Sequence, residues 1–330
     1  MTGAPSLPGR RDLVTGCAGF LGSQLAEQLV AEGRDVLGVD CFTPNYPRAA
    51  KERNLELLLE EPRFALVELD LAREPLDGLL DGVDVVFHLA AQPGVREAFG
   101  ERFEEYLRNN VLATQRLLEQ AARSPIAVFL FASSSSVYGD AEGFPTTELD
   151  ERRPVSPYGM TKAATEEVAW VYMRCFGVPA VGLRYFTAYG PRQRPDMAFA
   201  RFFARALAGT PLPINGDGRQ IRDFTFVDDV VAGTLAAARL GRPGAVYNIG
   251  GGSPIELLDA IRMIGDLTGR SLELDHRPAQ VGEARRTSCD GDRARHELGF
   301  VPRTELRDGL AAQLEWMLAA RRRHAAAVAG

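Results

Sequence analysis

Tyr158 and Lys162 stand four residues apart in the stretch Ser156-Pro157-Tyr158-Gly159-Met160-Thr161-Lys162. On a helix, residues i and i+4 share one face, so the phenol and the ammonium point the same way. A free tyrosine has a pKa of about 10 and is a poor base at neutral pH. A cation held nearby favours the phenolate, which can take a proton from a substrate hydroxyl. Of the 38 Lys and Arg residues only Lys51 and Lys162 are lysines. A chain that writes positive charge almost wholly as Arg thus places here a compact charge whose pKa can move. Ser133-Ser134-Ser135-Ser136 directly follows the apolar run Ala127-Val128-Phe129-Leu130-Phe131. A hydroxyl at the end of such a strand can bridge the phenol and a substrate oxygen. Near the start, Thr15-Gly16-Cys17-Ala18-Gly19-Phe20-Leu21-Gly22 reads as a glycine-rich phosphate loop. Together these residues imply dehydrogenase chemistry, with a proton and a hydride moving at a carbinol carbon.

Positioning them needs an alternation of strands and helices, and the chain carries one. Apolar runs at 13–15, 36–39, 64–69, 83–89 and 126–131 predict five strands, the second and third followed or closed by Asp40 and Asp70. Helical patterns fall at 21–31, 101–122 and 158–176. Strands alternating with helices predict βαβ units, a parallel sheet and right-handed crossovers. The predicted fold class is α/β, a Rossmann-type doubly wound parallel sheet with a smaller C-terminal substrate-binding lobe. Residues 1–11 read as a flexible arm and 12–186 as the dinucleotide-binding domain, with strands around 224–250 returning to it. The loop-rich stretches 187–223 and 251–320 read as the second lobe, with helices near 255–268 and 306–320, and 321–330 as a tail. The Arg321-Arg322-Arg323 run then solvates a helix's last turn and complements its dipole.

Composition excludes several classes. A length of 330 residues leaves ample core, and a net charge of −6 argues against a nucleic-acid partner, which needs a basic footprint. No run approaches about 18 consecutive apolar residues, so no membrane span is expected. Cys17, Cys41, Cys175 and Cys289 are scattered without a Cys-x-x-Cys pair. That pattern suits reduced thiols in the cytoplasm and offers no metal site. Cys17, inside the glycine loop, reads as a small filler rather than a nucleophile.

The glycine loop lies between the first strand and the first helix, where a dinucleotide fold requires it. Gly16, Gly19 and Gly22 let the backbone approach a pyrophosphate, whose charge meets the helix N-terminus near Phe20 and Leu21. Asp40, 18 residues after Gly22, is placed for the ribose hydroxyls and would repel a 2′-phosphate, which favours NAD over NADP. Asp70, with Leu71 after it, meets the adenine or is a strand-end turn residue. Small residues at Leu89-Ala90-Ala91, with Gln92, give room for the nicotinamide and phosphates. His88 reads as a hydrogen-bonded strand-end residue rather than a catalyst.

At this point the motifs resemble the extended short-chain dehydrogenase/reductase family, specifically its nucleotide-sugar epimerases, over residues 12–320. The likeness rests on the glycine loop, His88-Leu89-Ala90-Ala91-Gln92, Asn109-Asn110-Val111 and Val137-Tyr138-Gly139. It continues through Tyr158-x-x-x-Lys162, Leu183-Arg184-Tyr185-Phe186, Gly190-Pro191-Arg192 and Arg222-Asp223-Phe224-Thr225. The resemblance implies Ser134, Tyr158 and Lys162 as the catalytic set. Asn110, Ser133 and Tyr185 join the NAD-binding residues, and a homodimer forms through the 101–122 and 158–176 helices. Sugar 4,6-dehydratases carry Asp-Glu at the positions of Ser135 and Ser136, and UDP-glucuronate decarboxylases carry Glu at the second. Serine at both leaves plain epimerisation.

The segment 186–198 looks very like that of UDP-glucuronate 4-epimerases, whereas the UDP-galactose type usually has Asn at Thr187. The run ending in Gly94-Val95-Arg96 also resembles the uronate group. The implied UDP-sugar contacts are Arg96, Ser134, Ser135, Thr187, Arg192, Met197, Ala198, Ile214, Asn215, Arg222 and Glu283. Arg192 offers a guanidinium fork suited to the uronate carboxylate; the other reading pairs Arg192 or Arg194 with Asp196 or a phosphate. Arg222 holds the diphosphate, joined by Arg285 or Arg286. Two stretches depart from the pattern. Gly282-Glu283-Ala284 replaces the usual Gly-Asp-Val, and 42–53 follows the family only loosely. The implied reaction passes the C4 hydride to NAD, turns the 4-keto sugar over and returns the hydride to its other face. The remaining alternatives are a UDP-glucose 4-epimerase, a decarboxylase and a non-catalytic NAD-binding sensor.

Overall fold

Strands that are buried on both faces of a parallel sheet read as near-continuous apolar runs, and the chain folds accordingly. The computed structural model describes Leu7 and residues 9–329. Its first half contains β1 (Arg11–Thr15), α1 (Phe20–Ala31), β2 (Asp35–Asp40), α2 (Arg48–Leu55), β3 (Phe64–Glu68), β4 (Val85–His88), α3 (Phe103–Tyr106), α4 (Ala113–Ala121), β5 (Val128–Ser134) and α5 (Pro157–Phe176). The second half runs through β6 (Ala180–Tyr185), β7 (Thr187–Tyr189), α6 (Ala198–Ala208), β8 (Leu212–Asn215), β9 (Ile221–Phe226), α7 (Val227–Leu240), β10 (Val246–Ile249), β11 (Pro254–Glu256), α8 (Leu257–Thr268), β12 (Leu274–Arg277), α9 (Asp292–Leu298) and α10 (Leu306–Ala329).

Seven strands form one parallel sheet in the order β10-β6-β5-β4-β1-β2-β3. Leu25, Ala26 and Leu29 of α1 join Val230, Leu235 and Ala238 of α7 in a core on one face. Leu117, Leu118 and Ala121 of α4 join Ala169 and Tyr172 of α5 in a core on the other. The strand order reverses between β1 and β4, and ligands of such sheets bind in the crevice at that switch point, beyond the strands' carboxyl ends. A second lobe packs there. It holds the sheet β11-β9-β7, the pair β12-β8, and α6, α8 and α10. Phe199, Phe202, Phe203 and Ala206 recur along α6 at helical spacing and meet Ile261, Ile264 and Leu310 in a separate core.

Four elements correct the sequence reading. Of the segment 224–250, Val246–Ile249 joins the large sheet, whereas Ile221–Phe226 pairs with β7 and β11 outside it. The helical pattern at 101–122 is broken by a π-helical stretch, Leu107–Leu112. Within it the Asn110 carbonyl accepts from the hydroxyls of Thr114 (2.6 Å) and, on α5, Thr165 (3.2 Å). The last helix continues to Ala329, so Arg321–Arg323 do not end it. Within the proposed arm of residues 1–11, Leu7 is buried in the core, and the Arg10 N–H donates to Asp84 Oδ2 at 2.7 Å; residues 1–6 and 8 lie outside the described residues. No helix among the described residues is long and apolar enough to cross a membrane.

Candidate active site

A cavity of about 590 Å³ opens at the carboxyl ends of β1 and β4 and runs into the second lobe. At one end the glycine loop turns through Gly16, whose φ of 73° suits a residue without Cβ. A Cβ at Gly22 would sit 2.1 Å from the Gly16 carbonyl oxygen. The loop can therefore tighten directly onto α1, whose N-terminus has no side-chain cap and no acidic residue in its first turn. Its unpaired N–H groups face the cavity as an anion site. Asp40 lines the same end and accepts from Ala18 N (3.1 Å) and Phe42 N (2.8 Å). Lys51 Nζ lies 4.0 Å from its Oδ1 and bonds Thr43 Oγ1 at 3.2 Å. These residues fit a dinucleotide: backbone donors for the pyrophosphate, then a carboxylate and an ammonium for the ribose hydroxyls.

Gly19, Phe20, Leu21, Asp70, Leu71, Leu89, Ala90, Ala91, Ser133 and Tyr185 also line the cavity. Asp70 Oδ1 accepts from Ala72 N at 2.9 Å, so it is a turn residue and a lining residue at once. Gln92 and Asn110 correct the reading, because neither lines the cavity. Asn110 uses its side-chain amide to grip the Gln92 backbone, at 2.7 and 3.1 Å, and Thr161 Oγ1, at 2.9 Å. They hold the loop after β4 against α5, and Asn109 is the residue that lines the cavity.

His88 bridges the hydroxyls of Thr15 (2.8 Å) and Thr114 (2.9 Å). Burial, and then the charge of Lys162, pulls its pKa from 6.5 to about 3. Below about pH 6.5 the unfolded chain binds a proton that the folded chain refuses. His88 should therefore contribute a loss of stability of up to about 1.4 kcal/mol per pH unit as pH falls towards its folded value. Urea unfolding midpoints of wild type and His88→Asn at pH 7 and pH 5 measure this, and the acid-dependent loss should be the smaller in the variant.

At the opposite wall, α5 starts from a Ser156 cap that accepts Gly159 N at 3.1 Å, with Pro157 at the first helical position. A Cβ at Gly159 would come within 2.4 Å of the Ser136 carbonyl. Glycine there lets the helix start press onto the turn after β5, and this brings Tyr158 to Ser134. Burial pushes the Tyr158 phenol up, while the Ser134 hydroxyl and the Arg194 charge draw it down. Burial lowers the Lys162 pKa to about 8 against the opposing charge of Glu166. Its ammonium donates to the Ala132 carbonyl at 2.8 Å. The lowering influences resolved on the phenol thus come from Ser134 and Arg194, whereas the sequence pointed to Lys162. Tyr106 packs edge-on to Tyr158, ring centroids 6.3 Å apart.

Arg96, Ser135, Thr187, Met197, Ala198, Asn215, Arg222 and Glu283 line the rest of the cavity. Arg96 Nε stands 3.2 Å from Glu283 Oε1 across its mouth. Ile214 corrects the reading: strand alternation turns it into the lobe core while Pro213 and Asn215 face the cavity. Arg285 and Arg286 are corrections too. The first pairs with Asp217 at 2.8 Å and the second stacks over Phe144, and neither lines the cavity.

The largest correction concerns Arg192. Its φ is +64°, and its guanidinium leaves the cavity for Glu27 Oε1 (2.7 Å) and Ser23 Oγ (3.3 Å) on α1. It is Arg194, two residues on, that faces the cavity instead, held by Asp196 at 3.0 and 2.6 Å. Those bonds use Nε and Nη2 and leave the Nη1 donors to a ligand. Arg201 on α6 also lines the cavity, its pKa lowered by burial and by Arg96, Arg205 and Arg277. Sequence reasoning gave no role to Lys51 or Arg201, and it read Arg194 only as a partner of Asp196 or a phosphate, the first of which the structure shows. The rarity of lysine was the one available signal for Lys51.

Comparison with known proteins agrees with this geometry. The model of the family described as NAD dependent epimerase/dehydratase matches residues 13–250. A Bacillus subtilis (strain 168) protein described as uncharacterized UDP-glucose epimerase YtcB is 44% identical over 309 residues, which is 92% of this chain and 97% of that protein. The solved structure of a Bacillus cereus UDP-glucuronic acid 4-epimerase with UDP-glucuronic acid and NAD is 40% identical with a TM-score of 0.91, covering 94% of this chain and 99% of that one. MoeE5, solved with UDP-glucuronic acid and NAD, is 41% identical with a TM-score of 0.85, covering 94% and 100%; it has also been solved with UDP-glucose and NAD.

Proposed function

The chain belongs to the NAD dependent epimerase/dehydratase family, and from that premise we propose that it inverts C4 of a UDP-hexuronic acid, interconverting UDP-glucuronate and UDP-galacturonate. The observation that carries this reading is one cavity holding the Ser134–Tyr158 pair and a guanidinium, Arg194, whose field reaches the phenol. Bound NAD supplies the acceptor that takes the C4 hydride and gives it back. Tyr158 takes the proton of the C4 hydroxyl and later returns it, with Ser134 hydrogen-bonded to both oxygens in turn. Lys162, anchored on Ala132, keeps a positive charge beneath this end of the cavity. Arg194 receives the C6 carboxylate through its free donors, beside Thr187. Arg222 and Arg201 hold the diphosphate, Asn215 the nucleoside and Glu283 the ribose next to it. Ser135 and Ser136 carry no carboxylate that would promote dehydration or decarboxylation.

The first test is proton NMR of the purified protein given UDP-glucuronate and UDP-glucose in turn, without added NAD. UDP-galacturonate signals are expected from the first. Formation of UDP-galactose alone would move the assignment to a UDP-glucose 4-epimerase. That second reading draws support from the YtcB description and from UDP-glucose bound to MoeE5. Release of UDP-xylose would instead make the enzyme a decarboxylase, and no turnover of either sugar would leave a binding role.

Two further assignments belong to this reading. Leu107, Leu112, Trp170, Val171 and Phe176 are exposed on the helices expected to meet a second copy, and an apolar patch on such helices suits a homodimer interface. Trp170→Glu should convert a dimer into a monomer in sedimentation equilibrium; a wild type that sediments as a monomer would remove the assignment. Free thiols at all four cysteines suit the cytoplasm.

A further inference from the structure

We propose that the Arg192–Glu27 ion pair is a strut that positions Arg194, and through it decides whether the 4-keto uronate keeps its carboxylate. The inference rests on the uronate reading of the cavity. Arg192 is one of only two non-glycine residues with positive φ among the described residues, the other being Phe42. A side chain in that region costs about 1–2 kcal/mol, so something must hold it there. The holding groups sit on α1. Glu27 and Ser23, one helical turn apart, take the Arg192 guanidinium, and Gln24 Nε2 donates to the Pro191 carbonyl at 3.0 Å.

From the other side, Gln313 of α10 accepts Gly190 N at 3.2 Å and donates to Gln193 Oε1 at 2.9 Å. The left-handed turn sends Arg192 towards α1 and Arg194 towards the cavity. The pair is not an ordinary surface contact: its side chains are only 15% and 31% exposed. The same α1 presents its N-terminus to the dinucleotide site, so the cofactor helix and the loop carrying Arg194 are braced together.

The chemical stake is specific. A 4-keto uronate is a β-keto acid. When its C5–C6 bond lies along the carbonyl π system, that bond breaks, CO₂ leaves and the electron pair enters the C4 carbonyl as an enolate. C5 then takes a proton from water, and the products are a UDP-4-keto-pentose, CO₂ and the NADH formed in the preceding oxidation. Arg194 held rigidly keeps the carboxylate out of that alignment. Arg194 on a loosened loop does not.

The deciding variant is Arg192→Gly, because glycine adopts a φ of +64° without strain and removes only the strut. Glu27→Gln loosens the same contact from the other end, and Arg192→Glu combined with Glu27→Arg re-forms the pair reversed. NMR of UDP-glucuronate turnover should show the 4-keto-pentose share and KM each rising on the order of tenfold in both single variants, with recovery in the reversed pair. Amide exchange at Met197, whose N–H bonds the Arg194 carbonyl at 3.0 Å, should quicken in the single variants. Unchanged partition and KM with active enzyme would reduce Arg192 to a structural residue. If wild type turns over only UDP-glucose, the uronate reading fails and the exchange rate alone judges the strut: unchanged exchange overturns it, and faster exchange upholds the bracing of Arg194.

Discussion

Tyr158→Phe should leave a folded protein with NAD bound and lower turnover by at least about 10³-fold, within the range expected for losing a positioned acid–base group. Desolvation pushes the phenol pKa up, whereas Ser134 and Arg194 draw it down by favouring the ionised form that the reaction needs. Removing one oxygen keeps the ring packed edge-on to Tyr106. It leaves the glycine loop, Asp40 and Lys51 at the other end of the cavity untouched. Absorbance of retained dinucleotide after acid release, beside single-turnover kinetics, separates the two effects. A variant that keeps NAD and still turns over at a tenth of the wild-type rate would remove Tyr158 from the chemistry. Ser134→Ala should cost less, since it deletes a partner of the phenol rather than the proton carrier.

Arg194→Ala should raise KM for UDP-glucuronate by about 30-fold or more, the lower end of what losing one partner of a buried charge pair costs. The effect on UDP-glucose should stay within about threefold. In this variant Asp196 loses its partner as well, and its carboxylate, now unmatched, would repel the uronate. The double variant Arg194→Ala/Asp196→Ala removes that repulsion. It should recover part of the uronate affinity but remain well above wild type. Equal losses for both sugars would transfer Arg194 to the diphosphate. Arg194 also draws down the Tyr158 pKa, so the limb on which kcat rises with pH as the phenolate forms should move to higher pH in the variant.

The parts of the site that a sequence displays are those whose function needs a fixed local spacing. Tyr158 and Lys162 share a helix face by periodicity alone, and Ser156-Pro157 marks where that helix begins. Gly16 is constrained by a left-handed turn and Gly22 by the close approach of α1 to the Gly16 carbonyl, and Asp40 by the end of a strand with a predictable length. The same logic carried the alternating strands and helices to a parallel sheet, since buried strands and crossover helices have different apolar periods.

Where a side chain's direction depends on the backbone's hand or on a distant partner, the sequence was silent or misleading. Arg192 and Arg194 are chemically alike and two residues apart, and only a left-handed residue between β7 and α6 sends one to α1 and the other into the cavity. Asn109 and not Asn110 lines the cavity, and the Asn110 amide is taken up by the Gln92 backbone and Thr161. Ile214 turns inward by strand alternation once the lobe core exists to receive it. Lys51 meets Asp40 only after α2 folds back over the dinucleotide end. The sequence by itself determined the fold class, the glycine loop and the shared helix face of Tyr158 and Lys162, because those follow from periodicity and steric permission within short segments. The tertiary structure alone decided which guanidinium faces the cavity, because that choice depends on contacts across more than 160 residues of chain, between Glu27 and Arg192.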